Sequence, residues 1–241
     1  MKKSLHIGIV ACSAPGAALC YETICSEGAE MLGAYDHPEV SMHSPSFAAY
    51  NACMERDDWR GVGEIMLDSA GKLAAIGADF LICPDNTIHR ALPLLEPRSL
   101  LPWLHIAEIV ADEALRRGFR RLGLTGTRWL VESEVYPEKL AARGIEYVLP
   151  TPDERDEINR IIMRELVYGV FKPEAVAYFQ RAIERMKSEG CEAVVLGCTE
   201  IPLIISDENS PLPALDSTRL LARAALNHAI AAAANAAARL A

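Results

Sequence analysis

The sequence predicts an α/β fold of two similar lobes, each a mostly parallel sheet flanked by helices, related by a pseudo-two-fold axis. Three observations carry that expectation. Short apolar runs alternate with longer helix-patterned segments, one block of the chain repeats another without a gap, and the openings of the two halves match. Alternation of this kind is what βαβ units leave in a sequence.

The strand candidates are Leu5–Ala11, Val40–His43, Phe80–Pro84, Arg121–Thr125, Glu146–Leu149 and Ala193–Gly197. Helix patterns fall at Ala18–Leu32, Trp59–Ile76, Leu104–Arg117, Glu132–Arg143, Asp156–Val167 and Pro173–Ser188. The second of these has the spacing of a helix lying on a sheet, and Gly77 is its natural C-terminal stop. The repeat lays Gly77-Ala-Asp-Phe-Leu-Ile-Cys-Pro-Asp85-Asn-Thr over Gly190-Cys-Glu-Ala-Val-Val-Leu-Gly-Cys198-Thr-Glu, an offset of 113 residues. Each block reads as a helix-ending Gly, a small residue, an acid, an apolar strand and a polar turn. Ile7-Gly8-Ile9-Val10 likewise lies over Leu122-Gly123-Leu124-Thr125, at an offset of 115. The first lobe is expected over residues 1–100, completed by 214–241, and the second over 101–213.

A chain of 241 residues makes one large domain or two small ones, and at this size about 70% of the unfolded surface is buried. With 51% apolar and 24% charged residues the composition excludes disorder. Thirty-three acidic side chains against 24 basic ones leave a net charge of −9, which argues against a nucleic-acid partner. An anionic small substrate stays compatible, because a local cluster of backbone N–H groups can outvote net charge. The opening MKKSLHIGIVACSAPG has a short apolar run that ends in a Ser/Pro/Gly loop, the mark of a strand rather than a secretory signal. No stretch approaches the roughly 18 apolar residues of a membrane span, and the terminal AIAAAANAAARLA reads as a weakly amphipathic helix. The expectation is a soluble, cytoplasmic protein whose seven cysteines are thiols, each of them core filler or chemistry.

In open parallel sheets, ligands bind beyond the carboxyl ends of the strands. If two such lobes face each other, equivalent turns confront one another across one cleft, and the 113-residue offset then sets Asp85 against Cys198. Two proton-carrying groups on opposite walls suit work on both faces of a planar carbanion or enediolate. A thiol serves because its ordinary pKa lies near working pH, and a helix starting after Gly197 would lower it further. Asn86, Thr87 and Thr199, with backbone N–H groups, offer donors to hold a carboxylate. Blander readings stand beside these. A cysteine after a buried strand is usually core, and Asp-Asn-Thr is a common self-bonded turn. Its place in the repeat is what favours chemistry at Cys198. Cys12, Cys20, Cys25, Cys53 and Cys191 read as structural, Cys83 shares the strand-end neighbourhood, and His89 reads as a support for the turn. The histidines show no metal-ligand spacing, and no nucleotide-binding glycine motif is present.

Asn86-Thr87-Ile88-His89 and Gly197-Cys198-Thr199-Glu200-Ile201-Pro202 resemble the aspartate/glutamate racemase superfamily. His6-Ile7-Gly8-Ile9-Val10, Gly126-Thr127-Arg128 and Asp216-Ser217-Thr218 extend the resemblance over essentially the whole chain. It implies a cofactor-independent amino-acid racemase, often a homodimer, acting on an amino acid or dicarboxylate by two bases. Asp85 and Cys198 would be the catalytic pair, and Ser13, Asn86, Thr87, Thr127, Thr199 and Glu200 would bind substrate. Glutamate after Cys-Thr looks like the aspartate-type branch. Family members commonly carry Cys, and some Thr, immediately before Asn-Thr, where this chain has Asp85. The first loop lacks the family's usual character, and Leu130 stands where Thr is usual. The substrate side chain therefore stays open, with Arg56 and Arg128 as candidates to hold a second carboxylate. Single-thiol relatives, malonate-type decarboxylases and maleate-type isomerases, are the alternative, as is a non-catalytic dicarboxylate binder.

Overall fold

The computed structural model describes residues 4–238, with side chains through residue 232. Met1-Lys2-Lys3 and the last three residues of the alanine-rich end lie outside the described residues. Two compact units divide the chain, one running through Ile106 and resuming at Thr218, the other Ala107–Ser217.

In the first unit β1 (Ile7–Val10), β2 (Val40–His43), β3 (Phe80–Ile82) and β4 (Trp103–Leu104) form a parallel sheet in the order β2-β1-β3-β4. Its helices are α1 (Ala14–Leu32), α2 (Phe47–Glu55), α3 (Trp59–Ala75) and the short α4 (Leu92–Leu95). β1 and β3 are wholly buried apolar runs, as expected of strands covered on both faces. In the second unit β5 (Arg121–Thr125), β6 (Glu146–Val148), β7 (Ala193–Leu196) and β8 (Ala214–Asp216) pair in parallel as β6-β5-β7-β8. α5 (Ile106–Arg116), α6 (Arg128–Val131), α7 (Pro137–Ala141), α8 (Pro152–Arg164) and α9 (Pro173–Ser188) accompany them. α10 (Ser217–Ala238) then returns to the first unit. There Leu5 N–H donates to Ala229 O at 3.0 Å, the Phe80 and His228 rings meet edge-on at 4.7 Å, and Arg223 pairs with Glu27 of α1.

The repeat has a structural reason. Gly77 and Gly190 both end helices at positive φ, +92° and +88°, a conformation that favours glycine. The acid two residues on does the same work in both units. Asp79 Oδ2 accepts from His6 N–H at 2.7 Å, and Glu192 Oε2 accepts from Arg121 N–H at 3.1 Å. Each carboxylate thus satisfies a backbone donor at the start of its central strand. Gly8 stands opposite Leu81 in the first sheet, and Gly123 opposite Val194 in the second, the same register under the two offsets.

Several expectations are corrected. Residues 214–217, assigned by sequence to the first lobe, stay in the second unit because β8 pairs with β7. The first unit likewise extends past residue 100, through β4 to Ile106. Of the single helix expected over Glu132–Arg143 only α7 forms, opened by Pro137 in its first turn, while α6 lies before that span. α1 starts at Ala14, with Pro15 in its first turn, not at Ala18. α8 starts at Pro152, where Thr151 and Glu154 form a capping box. β4, β8 and α2 were not foreseen. The first two are only two and three residues long, too short for periodicity to register.

Candidate active site

In both units the candidate residues gather at the carboxyl ends of the two central strands. Ser13 follows β1 and Asp85, Asn86 and Thr87 follow β3, its partner in the first sheet. Thr127 follows β5, and Cys198, Thr199 and Glu200 follow β7 in the second. All are buried except Asp85, which is half-buried.

The turn after β3 is fixed by hydrogen bonds. Asp85 Oδ1 accepts from Ile88 N–H at 3.1 Å. His89 Nδ1 lies 2.6 Å from the Asp85 carbonyl oxygen, and its Nε2 lies 3.3 Å from Ile106 N–H. A carbonyl can only accept and an N–H can only donate, so the ring is the neutral Nδ1–H tautomer. His89 thus ties the turn to the start of α5, as its sequence position suggested. Behind the turn sits Tyr50 of α2, fully buried. Burial first, then the neighbouring Cys83, Cys12 and Asp85 side chains, push its phenol well above its ordinary value. It therefore stays a neutral donor. Sequence reasoning missed Tyr50 because it missed α2. The signal available was the helical spacing of Tyr50, Cys53 and Met54 behind a Ser46 cap position. Cys83 is completely buried, and burial holds its thiol well above the usual range.

The turn after β7 is fixed by close approach. A Cβ on Gly197 would lie 2.4 Å from Thr125 O and 2.7 Å from Leu130 Cδ2, and one on Gly126 would lie 2.9 Å from Gly197 O. Only glycine lets the two strand ends meet in this way. Gly197 N–H donates to Thr125 O at 2.9 Å. Thr125 Oγ1 donates to Val195 O and Ser217 Oγ to Leu196 O, each at 2.7 Å. Cys198 leaves this braced strand end with Sγ 2.9 Å from Glu200 Oε2, which also accepts from Thr199 Oγ1 at 3.2 Å. Thr127 caps α6 by accepting from Leu130 N–H. The expected helix start beyond Gly197 is only a three-residue 3₁₀ turn, Ile201–Leu203, so no α-helix dipole acts on the thiol from there. Arg56 and Arg128 are both exposed, and Arg128 lies over the Trp129 ring. A cavity of about 430 Å³ in the second unit, lined by Glu157, Arg160, Lys172 and Tyr178 among others, holds none of the candidate residues.

The two parallel sheets thus end in polar turns, one carrying a carboxylate and the other a thiol beside a carboxylate. The Asp/Glu/hydantoin racemase family model matches residues 12–225, and the chain belongs to that family. With it the chain is an isomerase of the amino-acid racemase class that works without pyridoxal phosphate. It is 22% identical over 196 residues to the broad specificity amino-acid racemase RacX of Bacillus subtilis (strain 168), covering 80% of this chain and 82% of that one. An aspartate racemase homologue from Pyrococcus horikoshii OT3 superposes with a TM-score of 0.78 at 29% identity, over 95% and 99% of the two chains. An aspartate racemase from Picrophilus torridus shares the fold, with a TM-score of 0.72 at 22% identity over 95% and 94%. Among the described residues no helix is long and apolar enough to cross a membrane.

Proposed function

We propose that this chain racemises an amino acid of the aspartate/glutamate type, Asp85 and Cys198 being the two groups that take and return the α proton. One observation carries it: β3 and β7 hold the same place and register in their sheets, and Asp85 and Cys198 each stand four positions beyond the strand residue, Leu81 or Val194, that faces the glycine of the neighbouring strand. Racemisation by this pair requires both groups to reach one α carbon from opposite faces. The base on one face removes the proton, and the acid on the other returns one. Asn86, Thr87 and Thr199 would hold the substrate carboxylate and the charge that develops on it, with Ser13 and Thr127 at the neighbouring strand ends. The unequal pair lets kcat and KM differ between the two directions while the equilibrium stays at one, because enantiomers have equal free energy. A cytoplasmic homodimer goes with this function, and sedimentation would check the assembly.

The test is a chiral assay over the common amino acids in deuterium oxide. Solvent label should enter the α position of both enantiomers of at least one substrate, and Cys198→Ala should stop it. No exchange with aspartate, glutamate or any other member of the panel would sink racemisation. One observation favours a second reading. Asp85 Oδ1 already accepts the Ile88 N–H, which a turn-forming aspartate would also do. A single-thiol decarboxylase would release CO2 from a malonate-type acid, leave amino acids untouched and tolerate Asp85→Asn.

A further inference from the structure

α8 and α9 line the cavity of about 430 Å³ that the strand-end turns leave unused. Ile161 and Ala175, which line it, are buried members of the apolar core of the second unit. The charged side chains around it are not all in the same condition. Glu165, only 6% exposed, accepts from Arg160 Nη1 at 2.8 Å and pairs with Lys172 Nζ at 3.3 Å. The same guanidinium holds Glu157 in a fork, Nε at 2.8 Å and Nη2 at 2.7 Å. Two carboxylates and two cations thus neutralise one another. Glu174 and Arg181 stand outside that set. Neither side chain makes an ion pair or hydrogen bond among the described residues, and Arg181 only lies over the Tyr178 ring, 5.4 Å from its centroid. Glu174, Tyr178 and Arg181 fall at i, i+4 and i+7 of α9, one stripe along the cavity. Seven residues of helix rise about 10.5 Å. An uncommitted carboxylate and an uncommitted guanidinium therefore bracket an aromatic ring.

We propose that this groove is a binding site for a zwitterion with a free α-ammonium at one end and a free α-carboxylate at the other. Arg181 takes the carboxylate with its planar fork of donors. Glu174 takes the ammonium, and the ligand backbone lies against Tyr178. Charge excludes other classes. Three carboxylates against three cations make the lining neutral, so a polyanion such as a nucleotide gains nothing from the groove as a whole. A ligand carrying one charge of each sign leaves no group unmatched. The length of the stripe favours a dipeptide over a free amino acid, whose two charges stand too close together to span it. The site lies wholly within the second unit and holds none of the residues assigned to proton transfer. It depends on the racemase reading for nothing.

The experiment is titration of the isotope-labelled full chain, followed by amide NMR, with glycylglycine and with glycine. Both probes are achiral, so racemisation cannot disturb the reading. Glycylglycine should saturate at about millimolar concentration and bind more tightly than glycine. Shifts should gather at Ile161, Lys172, Ala175 and Tyr178, not at Asn86 and Thr199. N-acetylglycylglycine lacks the ammonium and glycylglycinamide lacks the carboxylate, and each should bind about tenfold or more weakly. Arg181→Gln and Glu174→Gln should each raise Kd for glycylglycine by about tenfold or more and leave α-deuterium exchange as in wild type. Glycine binding ahead of glycylglycine would keep the zwitterion and make a free amino acid its source. Blocked peptides that bind as well as glycylglycine, binding indifferent to both variants, or shifts confined to Asn86 and Thr199 each overturn the proposal. So does the absence of saturable binding by either probe. Variants that lose self-association instead of peptide binding would give the stripe to a second copy of the chain and overturn the ligand.

Discussion

The turns that close β3 and β7 start from equivalent places in sheets of the same order, and they are built in opposite ways. After β3 the chain runs Pro84-Asp85-Asn86, and its geometry comes from side chains and a histidine ring bonding the backbone. After β7 it runs Gly197-Cys198-Thr199, and its geometry comes from backbone packing so close that no Cβ fits. In the first turn the titratable side chain serves as a fastener. In the second it is relieved of that duty, and its sulfur is turned toward a carboxylate instead. The difference teaches where the chemistry can be concentrated. One Asp85 oxygen is committed to the turn, whereas the Cys198 sulfur takes no part in shaping its own turn, whose form comes from glycine packing.

The sharpest way to break this comparison is to remove the reactive side chain from each turn in turn. Cys198→Ala should cost about 10⁴-fold in α-deuterium exchange, the upper end of what one acid–base group supplies. Asp85→Asn keeps an oxygen for the Ile88 N–H, so the fold should stand while exchange drops by about 10²-fold. Equal losses would mean the turns are functionally symmetric despite their construction. No loss at Asp85→Asn would make the first turn purely structural and favour the single-thiol reading.

Gly197 tests the other half of the contrast. An alanine there must displace Thr125 O or Leu130, and overpacking of this kind costs about 1–3 kcal/mol. Gly197→Ala should lower the unfolding free energy by that amount, read as an earlier urea midpoint, and it should also move Cys198 relative to Glu200. His89→Ala probes the matching brace in the first turn. It would strand the Asp85 carbonyl and the Ile106 N–H, at about 1–3 kcal/mol for such buried groups. A midpoint unchanged by His89→Ala would show that water replaces the ring.

How far each turn could be read from sequence follows from the same contrast. Gly77 and Gly190, the acids after them and the apolar strands form a pattern with a local cause, namely helix end, strand-start donor and buried strand, and so the fold was legible. Cys198 stood out because glycine before it and polar residues after it mark a strand end. Glu200 was legible as a site residue but not as a thiol partner, since a contact between side chains two positions apart depends on the bend over Cys198–Glu200 that brings them together. Tyr50 was legible through its helical spacing as a core residue, but not as a neighbour of the first turn. Its proximity to Cys12, Cys83 and Asp85 is made by tertiary packing of a nine-residue helix that no strong period announces.

Cys83 gives the smallest effect and separates the two buried thiols most cleanly. It lies two residues before Asp85, where a reactive cysteine could have been supposed, but burial first and the Asp85 carboxylate second hold its thiol well above its ordinary value near 9. The folded state thus keeps a proton that the unfolded chain releases. The stability this provides is fully present below pH 9 and is lost as pH rises above it, at up to ~1.4 kcal/mol per pH unit for one proton. Cys83→Ala should cost stability at pH 8 by leaving a small cavity, yet its stability should fall less steeply between pH 9 and pH 10.5. Iodoacetamide at pH 8 should modify Cys198 well before Cys83. Parallel stability curves for the two proteins, or modification of Cys83 first, would show that the first turn opens to solvent and that the two strand ends are more alike than their packing implies.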